Sequence, residues 1–408
     1  MNQRKIDVIM PELRGKTDKV GTVAASDSKP DDFSSKSAFQ PELRTMRVVI
    51  AGGGTGGHLF PGIAIAEAFM AKNPKNRVLF VSTGNPFEIS VLSKTNFERA
   101  PITAEGIKGR GLRNQFRSML KIPRGIFESI RILGRFKPDI VMGVGSYASG
   151  PVAAAAWLLG IKIVLHEQNI LPGITNRMLA CFADRIYVSF EKTKGAFNPE
   201  KICFSGNPVR KEILESARDQ KTVTGDRQRP FTSLILGGSQ GAHPINLALV
   251  EAIEHIRDRN HFFFAHQTGA KDETMVRRAY QDKDISCEVK PFFTDMALQY
   301  RRADLVIGRA GATTVAELTA TGKAVIFIPY PFAADNHQVL NARTLTEAGA
   351  AEMILQKDLT GRALWERIEH YASHPKSLEL LKSRAKAFGK PEAADVIVED
   401  CYRLASGG

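Results

Sequence analysis

Three glycine-rich turns carry the residues of this chain that could do chemistry: Gly52-Gly53-Gly54-Thr55-Gly56-Gly57-His58, Gly237-Gly238-Ser239-Gln240-Gly241-Ala242, and Gly308-Arg309-Ala310-Gly311-Ala312-Thr313-Thr314. Each stands where an apolar run gives way to a helical pattern. A strand that turns on glycines into a helix aims unpaired backbone N–H groups and the positive helix end at one point, which suits a phosphate. In the third turn Glu317 lies one helical turn beyond Thr313 and Thr314 and on their face. Amides at that helix start could hold a pyrophosphate while Glu317 reaches a sugar diol; an acid there also serves a helix dipole without any ligand. His58 closes the first turn and is the residue type that moves protons near neutral pH, although a histidine that only pins its loop fits the same place.

Two familiar phosphate readings fail on spacing. Gly52-x-Gly54-x-x-Gly57 matches a dinucleotide fingerprint, which also wants an acid at the end of the second strand; here Val78 to Val81 runs into Ser82-Thr83-Gly84. No Gly-Lys-Ser/Thr follows any of the turns, which excludes a Walker-type loop. His166-Glu167 is not a zinc-protease pair, because Ile170 stands where the second histidine belongs. His166 and Glu167 compete with His58 for the role of base.

The elements that must position these turns alternate in type. From Met46, the runs Val48-Val49-Ile50, Val78 to Val81, Ile140-Val141-Met142 and Ile161 to Leu165 read as strands separated by helical patterns such as Ile63 to Ala71. Short apolar strands between helices imply a parallel sheet covered on both faces. Ser233 to Leu236 restarts the scheme, followed by Phe262-Phe263-Phe264, Leu305-Val306-Ile307 and Val325 to Ile328. The expected fold is therefore α/β, with two Rossmann-like domains, 46–206 and 207–408, facing a cleft at the carboxyl ends of their strands. Residues 1–45 hold few large apolar side chains and read as a disordered extension.

Composition agrees with two globular domains: 408 residues, 43% hydrophobic and 24% charged. Lys and Arg number 56 against 43 Asp and Glu, a net +13 that favours nucleic acid, an anionic membrane surface or a phosphorylated substrate. Cys181, Cys203, Cys287 and Cys401 are scattered, with no Cys-x-x-Cys, which suits a reducing compartment. The longest apolar stretch, Val152 to Ile161, ends at Lys162, short of the ~20 residues that span a bilayer. Between Lys108 and Lys137 nine basic residues face one acid, Glu128, and Leu112, Phe116, Met119 and Leu120 share a helical face beside Arg113, Arg117 and Lys121. That pattern describes an interfacial helix on anionic headgroups as well as a core-facing helix with a solvated edge; Pro123 is expected to split it. Nucleic acid is disfavoured, since the segment offers few aromatics for stacking, Phe116 and Phe127 among them.

Several ordered motifs across both halves make the resemblance specific. They are Gly53 to His58 with Pro61, Gly145-Ser146-Tyr147-Ala148-Ser149-Gly150-Pro151, His166-Glu167-Gln168-Asn169, Gly206-Asn207-Pro208-Val209-Arg210, Gly237 to Ala242, Arg309 to Glu317, and Asp335-Asn336-His337-Gln338 with Asn341-Ala342. From about Met46 onward the chain resembles the MurG family of bacterial glycosyltransferases. The resemblance implies the two-domain GT-B fold and inverting transfer of N-acetylglucosamine from UDP-N-acetylglucosamine to the 4-hydroxyl of lipid I, undecaprenyl-pyrophosphoryl-N-acetylmuramyl-pentapeptide, giving lipid II for peptidoglycan.

Carried over motif by motif, it puts Thr55, Gly56 and Gly57 against the donor diphosphate and sugar, Asn169 on the donor side of the cleft, and Arg210 and Ser239 on the nucleotide. Phe293 stands where family members offer backbone to uracil. Ala312, Thr313, Thr314, Val315, Ala316 and Glu317 would hold pyrophosphate and ribose, and Gln338 the hydroxyls of N-acetylglucosamine. Ser146 departs from a position where glycine is favoured, and Thr313 from one where leucine is frequent; neither removes a polar contact. His58 and Glu167 are the candidate catalytic groups.

The resemblance also implies a peripheral place on the cytoplasmic face of the plasma (inner) membrane, with cell-wall synthesis proteins as conceivable partners and no nucleic acid. A UDP-sugar epimerase of the same fold is the runner-up, and a nucleotide-sugar binding protein without turnover a third reading. No Asp-x-Asp motif accompanies the donor residues, so no cofactor and no metal site are expected. Activity should survive exhaustive chelation; loss restored only by Mg²⁺ or Mn²⁺ would contradict this.

Overall fold

A computed structural model describes residues 44–105, 112–193, 195, 197–218, 229–238 and 240–407, and over 112–121 the backbone alone. The extension expected over 1–45 therefore lies outside the described residues up to position 43. From Arg44 the chain builds two parallel sheets, each sandwiched by helices.

The first begins with β1 (Arg47–Ala51), α1 (Gly56–Lys72), β2 (Arg77–Ser82), α2 (Pro86–Leu92), β3 (Glu98–Pro101) and α3 (Leu112–Phe136). It continues with β4 (Ile140–Gly143), α4 (Ser149–Leu158), β5 (Lys162–Glu167), α5 (Ile174–Leu179), β6 (Arg185–Val188) and β7 (Ile202–Phe204). The strand order is β3-β2-β1-β4-β5-β6-β7, with Val48 in register with Val78 on one side and Ile140 on the other. Because side chains alternate along a strand, Val49, Val141, Ile163 and Ile186 pack on one face with Leu133 and Val152. Val48, Ile50, Met142 and Val164 pack on the other with Ile65 and Phe69. Both faces are dry, as all-parallel sheets require.

The second half runs α6 (Lys211–Arg218), β8 (Phe231–Leu236), α7 (His243–Ala252), β9 (Phe262–Gln267), α8 (Glu273–Asp282), β10 (Cys287–Lys290), α9 (Met296–Arg302) and β11 (Leu305–Gly308). Then come α10 (Ala312–Ala320), β12 (Ala324–Phe327), α11 (His337–Glu347), β13 (Glu352–Met353), α12 (Gly361–Ser373), α13 (Pro375–Ala387) and α14 (Ala393–Ala405). Its sheet is β10-β9-β8-β11-β12-β13, again parallel throughout. In both sheets the order reverses beside the strand that leads into a glycine turn, which opens a crevice at the carboxyl edge.

The halves are joined twice. Val209 and Ile213 already pack in the second core. At the far end α14 returns to the first, where Ile397, Val398, Cys401 and Tyr402 join Val48, Ile50 and Phe69. Tyr402 Oη donates to Asn76 Oδ1 at 3.0 Å, and Tyr187 Oη to Asp400 Oδ2 at 3.1 Å. The two crossings lie against each other: Gly206 has φ +83°, and a Cβ there would strike Lys390.

Helix α3 runs unbroken through Pro123, contrary to the split expected from sequence. A mid-helix proline costs about 3 kcal/mol. Packing on α4 offsets it, because Gly125 lets the helix backbone reach Thr103 and Pro151, where a Cβ would come within 2.5 Å of the Thr103 carbonyl. Ile126, Ile130 and Leu133 of this helix pack on the first core.

Candidate active site

The third glycine turn ends at Gly311, the N-cap of α10, which has extended dihedrals (φ −65°, ψ 142°) and no side-chain cap. The first-turn amides of Ala312, Thr313 and Thr314 are therefore unclaimed by any capping side chain and face the cleft at the positive helix end. Val315 packs into the second core and Ala316 lies partly buried against it. Thr313 turns outward and its hydroxyl donates to the Gly57 carbonyl at 3.1 Å, bringing the third turn onto the first.

One helical turn on, Glu317 is only 4% exposed. Its Oε1 accepts Arg210 Nε at 3.2 Å and Nη2 at 3.0 Å, and its Oε2 accepts the Tyr300 hydroxyl at 2.9 Å. Burial works against the Arg210 charge, but the Glu317 carboxylate beside it lifts the guanidinium above its ordinary pKa. Burial, with Glu317 adding to it, pushes Tyr300 well above the usual phenol range, so its hydroxyl stays a donor. The Arg210 guanidinium also lies 4.4 Å over the ring of Phe60, which belongs to α1 in the other half. Neither Tyr300 nor Phe60 was legible as a site residue: an aromatic on a helix carries no signal until its neighbours are known.

The first turn enters α1 through Thr55, an extended N-cap (φ −135°, ψ 164°) that makes no side-chain cap either. Thr55 and Gly57 are exposed and Gly56 half-buried, so the start of this helix is open to the cleft. Beneath it lies Glu88, 1% exposed, which accepts the Gly54 N–H at 2.5 Å and the Thr83 hydroxyl at 3.1 Å. Glu88 also closes a capping box with Asn85 at the start of α2. A Cβ on Gly53 would strike this carboxylate. Sequence reading missed Glu88, although the Asn85-x-x-Glu88 spacing is the signal that could have found it.

His58 is half-buried, with Nδ1 at 3.0 Å from the Val144 carbonyl and 3.1 Å from Gln168 Oε1. Glu167, its competitor, is 1% exposed, and its carboxylate is consumed locally. It accepts the N–H of Asn169 (2.9 Å), the N–H of Gly173 (3.0 Å) and Asn176 Nδ2 (2.9 Å), which folds the loop between β5 and α5. Asn169 is thereby presented to the second half, where its Oδ1 accepts Asn341 Nδ2 at 3.2 Å. Gln338 is half-buried near the start of α11 and accepts the Tyr330 N–H at 3.0 Å through Oε1. Asp335 and Asn336 precede it with left-handed dihedrals (φ 51° and 54°) that turn the chain into that helix.

Phe293 packs in the second core with Tyr300 and Val315. It is 2% exposed, and its N–H is taken by Gln267 Oε1 at 3.0 Å, leaving its carbonyl as the backbone group to offer. Ser239 lies outside the described residues. Behind the turns a cavity of about 620 Å³ opens between Ile170 and Asn207 on one side and Ala312, Val315 and Leu340 on the other. Among the described residues no cluster of His, Cys, Asp or Glu could hold a metal ion.

The N-terminal domain of glycosyltransferase family 28 matches residues 48–188 and the C-terminal domain of that family 232–397. A UDP-N-acetylglucosamine--N-acetylmuramyl-(pentapeptide) pyrophosphoryl-undecaprenol N-acetylglucosamine transferase of Syntrophus aciditrophicus is 45% identical over 367 residues, 88% of this chain and 99% of the relative. The protein of the same name from Geotalea uraniireducens is 44% identical over 360 residues, 88% and 98% of the two chains. The crystal structure of Acinetobacter baumannii MurG aligns with a TM-score of 0.70 at 29% identity, covering 88% of this chain and 99% of that one.

This chain belongs to the MurG family of glycosyltransferases.

Within that family's two-sheet fold, the Arg210–Glu317 pair is the buried charge interaction of the cleft, with side chains 15% and 5% exposed. Removing Glu317 takes two hydrogen bonds from the guanidinium and leaves it to the largely exposed Glu212 carboxylate at 3.2 Å. Glu317→Ala is expected to cost about 3–5 kcal/mol of stability, measured by urea unfolding; a loss near that of a surface substitution would mean that Arg210 finds water instead.

Proposed function

We propose that this protein transfers N-acetylglucosamine from UDP-N-acetylglucosamine to undecaprenyl-pyrophosphoryl-N-acetylmuramyl-pentapeptide, forming lipid II. The observation that carries the reading is identity of 45% to a transferase of that name over 99% of its length, so both halves and the cleft between them are shared. The assembled cleft supports it, since an uncapped helix start, a buried acid–guanidinium pair and a histidine converge where the two halves touch.

In the mechanism we propose, the first-turn amides of α10 hold the donor diphosphate and stabilise the charge that builds on departing UDP. Glu317 takes the ribose diol, Arg210 and Ser239 the nucleotide, Phe293 the uracil through its carbonyl, and Gln338 the hydroxyls of the transferred sugar. Thr55, Gly56, Gly57 and Asn169 close on the sugar from the first half. His58 takes the proton of the acceptor 4-hydroxyl as that oxygen attacks the anomeric carbon from the face opposite UDP, which inverts the centre. Glu167 acts through the loop it folds, by presenting Asn169.

We also place the protein peripherally at the cytoplasmic face of the inner membrane, where this acceptor resides. Among the described residues no helix is long and apolar enough to cross a membrane. Support for surface contact comes from Trp157, Leu158 and Leu159 at the end of α4 and Met178 and Phe182 nearby, all exposed, with the Trp157 and Phe182 rings 5.2 Å apart. Helix α3 packs beside α4 and carries exposed Arg124, Arg131 and Phe127.

Incubation with labelled UDP-N-acetylglucosamine and a short-chain lipid I analogue is expected to yield the disaccharide product, with UDP-glucose and UDP-N-acetylgalactosamine poor donors. No transfer, with donor alone converted to a 2-epimer, would replace the reading with an epimerase. His58→Ala is expected to lower kcat by about 10²–10⁴-fold, and near-normal turnover would remove His58 from the base role. Binding to vesicles containing anionic lipid should weaken as salt rises; equal binding to neutral vesicles in high salt would sink the electrostatic part of the membrane proposal.

A further inference from the structure

Two side chains of the His166-Glu167-Gln168 run have no part in the steps above, yet they lie directly behind His58. Gln168 is 2% exposed and His166 fully buried. A backbone carbonyl only accepts, so the Gln168 atom 2.8 Å from the Val144 oxygen is Nε2. The same nitrogen reaches His166 Nδ1 at 3.0 Å, which makes that ring nitrogen an acceptor. Burial, partly opposed by the Gly206 backbone and reinforced by nearby His58, draws His166 down to about 4. It is therefore neutral at physiological pH and able to accept.

With its amide turned this way, Gln168 presents Oε1 to His58 Nδ1 at 3.1 Å, and the Val144 carbonyl faces the same nitrogen at 3.0 Å. Two acceptors and no donor surround Nδ1, so it carries the ring proton and Nε2 keeps its lone pair. Gly145 makes room for the ring. It has φ +91°, and a Cβ there would lie 2.7 Å from His58 Nδ1 and 2.9 Å from Cε1.

We propose that Gln168, oriented from behind by His166, is a positioning residue that holds His58 in its Nδ1–H form and so makes Nε2 the nitrogen that receives the acceptor's proton. This rests on His58 as the base and adds which nitrogen acts and what sets it. As the hydroxyl oxygen bonds to the anomeric carbon and the carbon–phosphate oxygen bond breaks, its electron pair leaves with UDP and the hydroxyl proton passes to Nε2. The imidazolium so formed keeps its Nδ1–H on the Val144 and Gln168 oxygens, which stabilise the new charge, and it returns the proton to water after product leaves.

The test is ¹⁵N NMR of the histidine ring nitrogens in the full-length protein, with the His58 signals identified by their loss in His58→Asn. The expected pattern is a protonated Nδ1 and bare Nε2 for His58 and the reverse for His166. A His58 carrying its proton on Nε2 overturns the proposal without recourse to any variant. Gln168→Leu is expected to mix the two His58 tautomers and lower kcat by about tenfold, with KM for UDP-N-acetylglucosamine changed by less than about twofold. Gln168→Glu, which keeps an oxygen against Nδ1, should retain the Nδ1–H form. A His58 pattern unchanged in Gln168→Leu, or Nε2–H appearing in Gln168→Glu, overturns it. Normal turnover in His58→Ala would instead remove the base reading and leave the tautomer assignment standing.

Discussion

The carboxylate of Glu317 is buried among groups that leave it no freedom: two guanidinium nitrogens of Arg210 on one oxygen and the Tyr300 hydroxyl on the other. A charge taken out of water is tolerable only when such partners are complete. Those partners come from the segment after the first crossing and from α9, while the carboxylate is on α10, so the cluster holds together the part of the second half that faces the cleft. Through Arg210 it extends further, because the same guanidinium lies over Phe60 of the first half. A charge requirement inside one sheet is thereby tied to the relation between the two.

Several contacts across the cleft involve residues proposed for substrate. Thr313 bonds to the Gly57 carbonyl, and Asn341 reaches Asn169 through Nδ2 and the Ile170 N–H through Oδ1. Each joins a helix start or loop in one half to its counterpart in the other. In the proposed mechanism closure and site assembly are then the same event, since groups assigned there to the donor also carry contacts between the halves.

The two glycine loops at the cleft solve a common problem differently. At the third turn no side chain caps α10, and the amides stay available. At the first turn a buried carboxylate, Glu88, occupies the Gly54 N–H, so the loop is held in shape from below while the α1 start remains open above it. A loop lacking side chains has little to pack, and an anchored amide supplies the rigidity that packing would otherwise give.

Strand–turn–helix alternation, two parallel sheets and the positions of the glycine turns were legible in the chain because each is a local consequence of periodicity and backbone freedom. The ordered motifs also carried the identity of the family. What sequence could not order was the competition between His58 and Glu167: both sit in motifs, and only folding shows that Glu167 spends its oxygens on Asn169, Gly173 and Asn176. It likewise treated Pro123 as a break, since the packing of α3 on α4 that offsets the lost hydrogen bond lies far away along the chain. Tyr300 and Gln168 are distant along the chain from the atoms they hold, so their roles depend on distances that no spacing encodes. Local patterns determine where a backbone turns; which side chain completes a buried charge or orients an imidazole is decided only when remote segments are brought to within a hydrogen bond of one another.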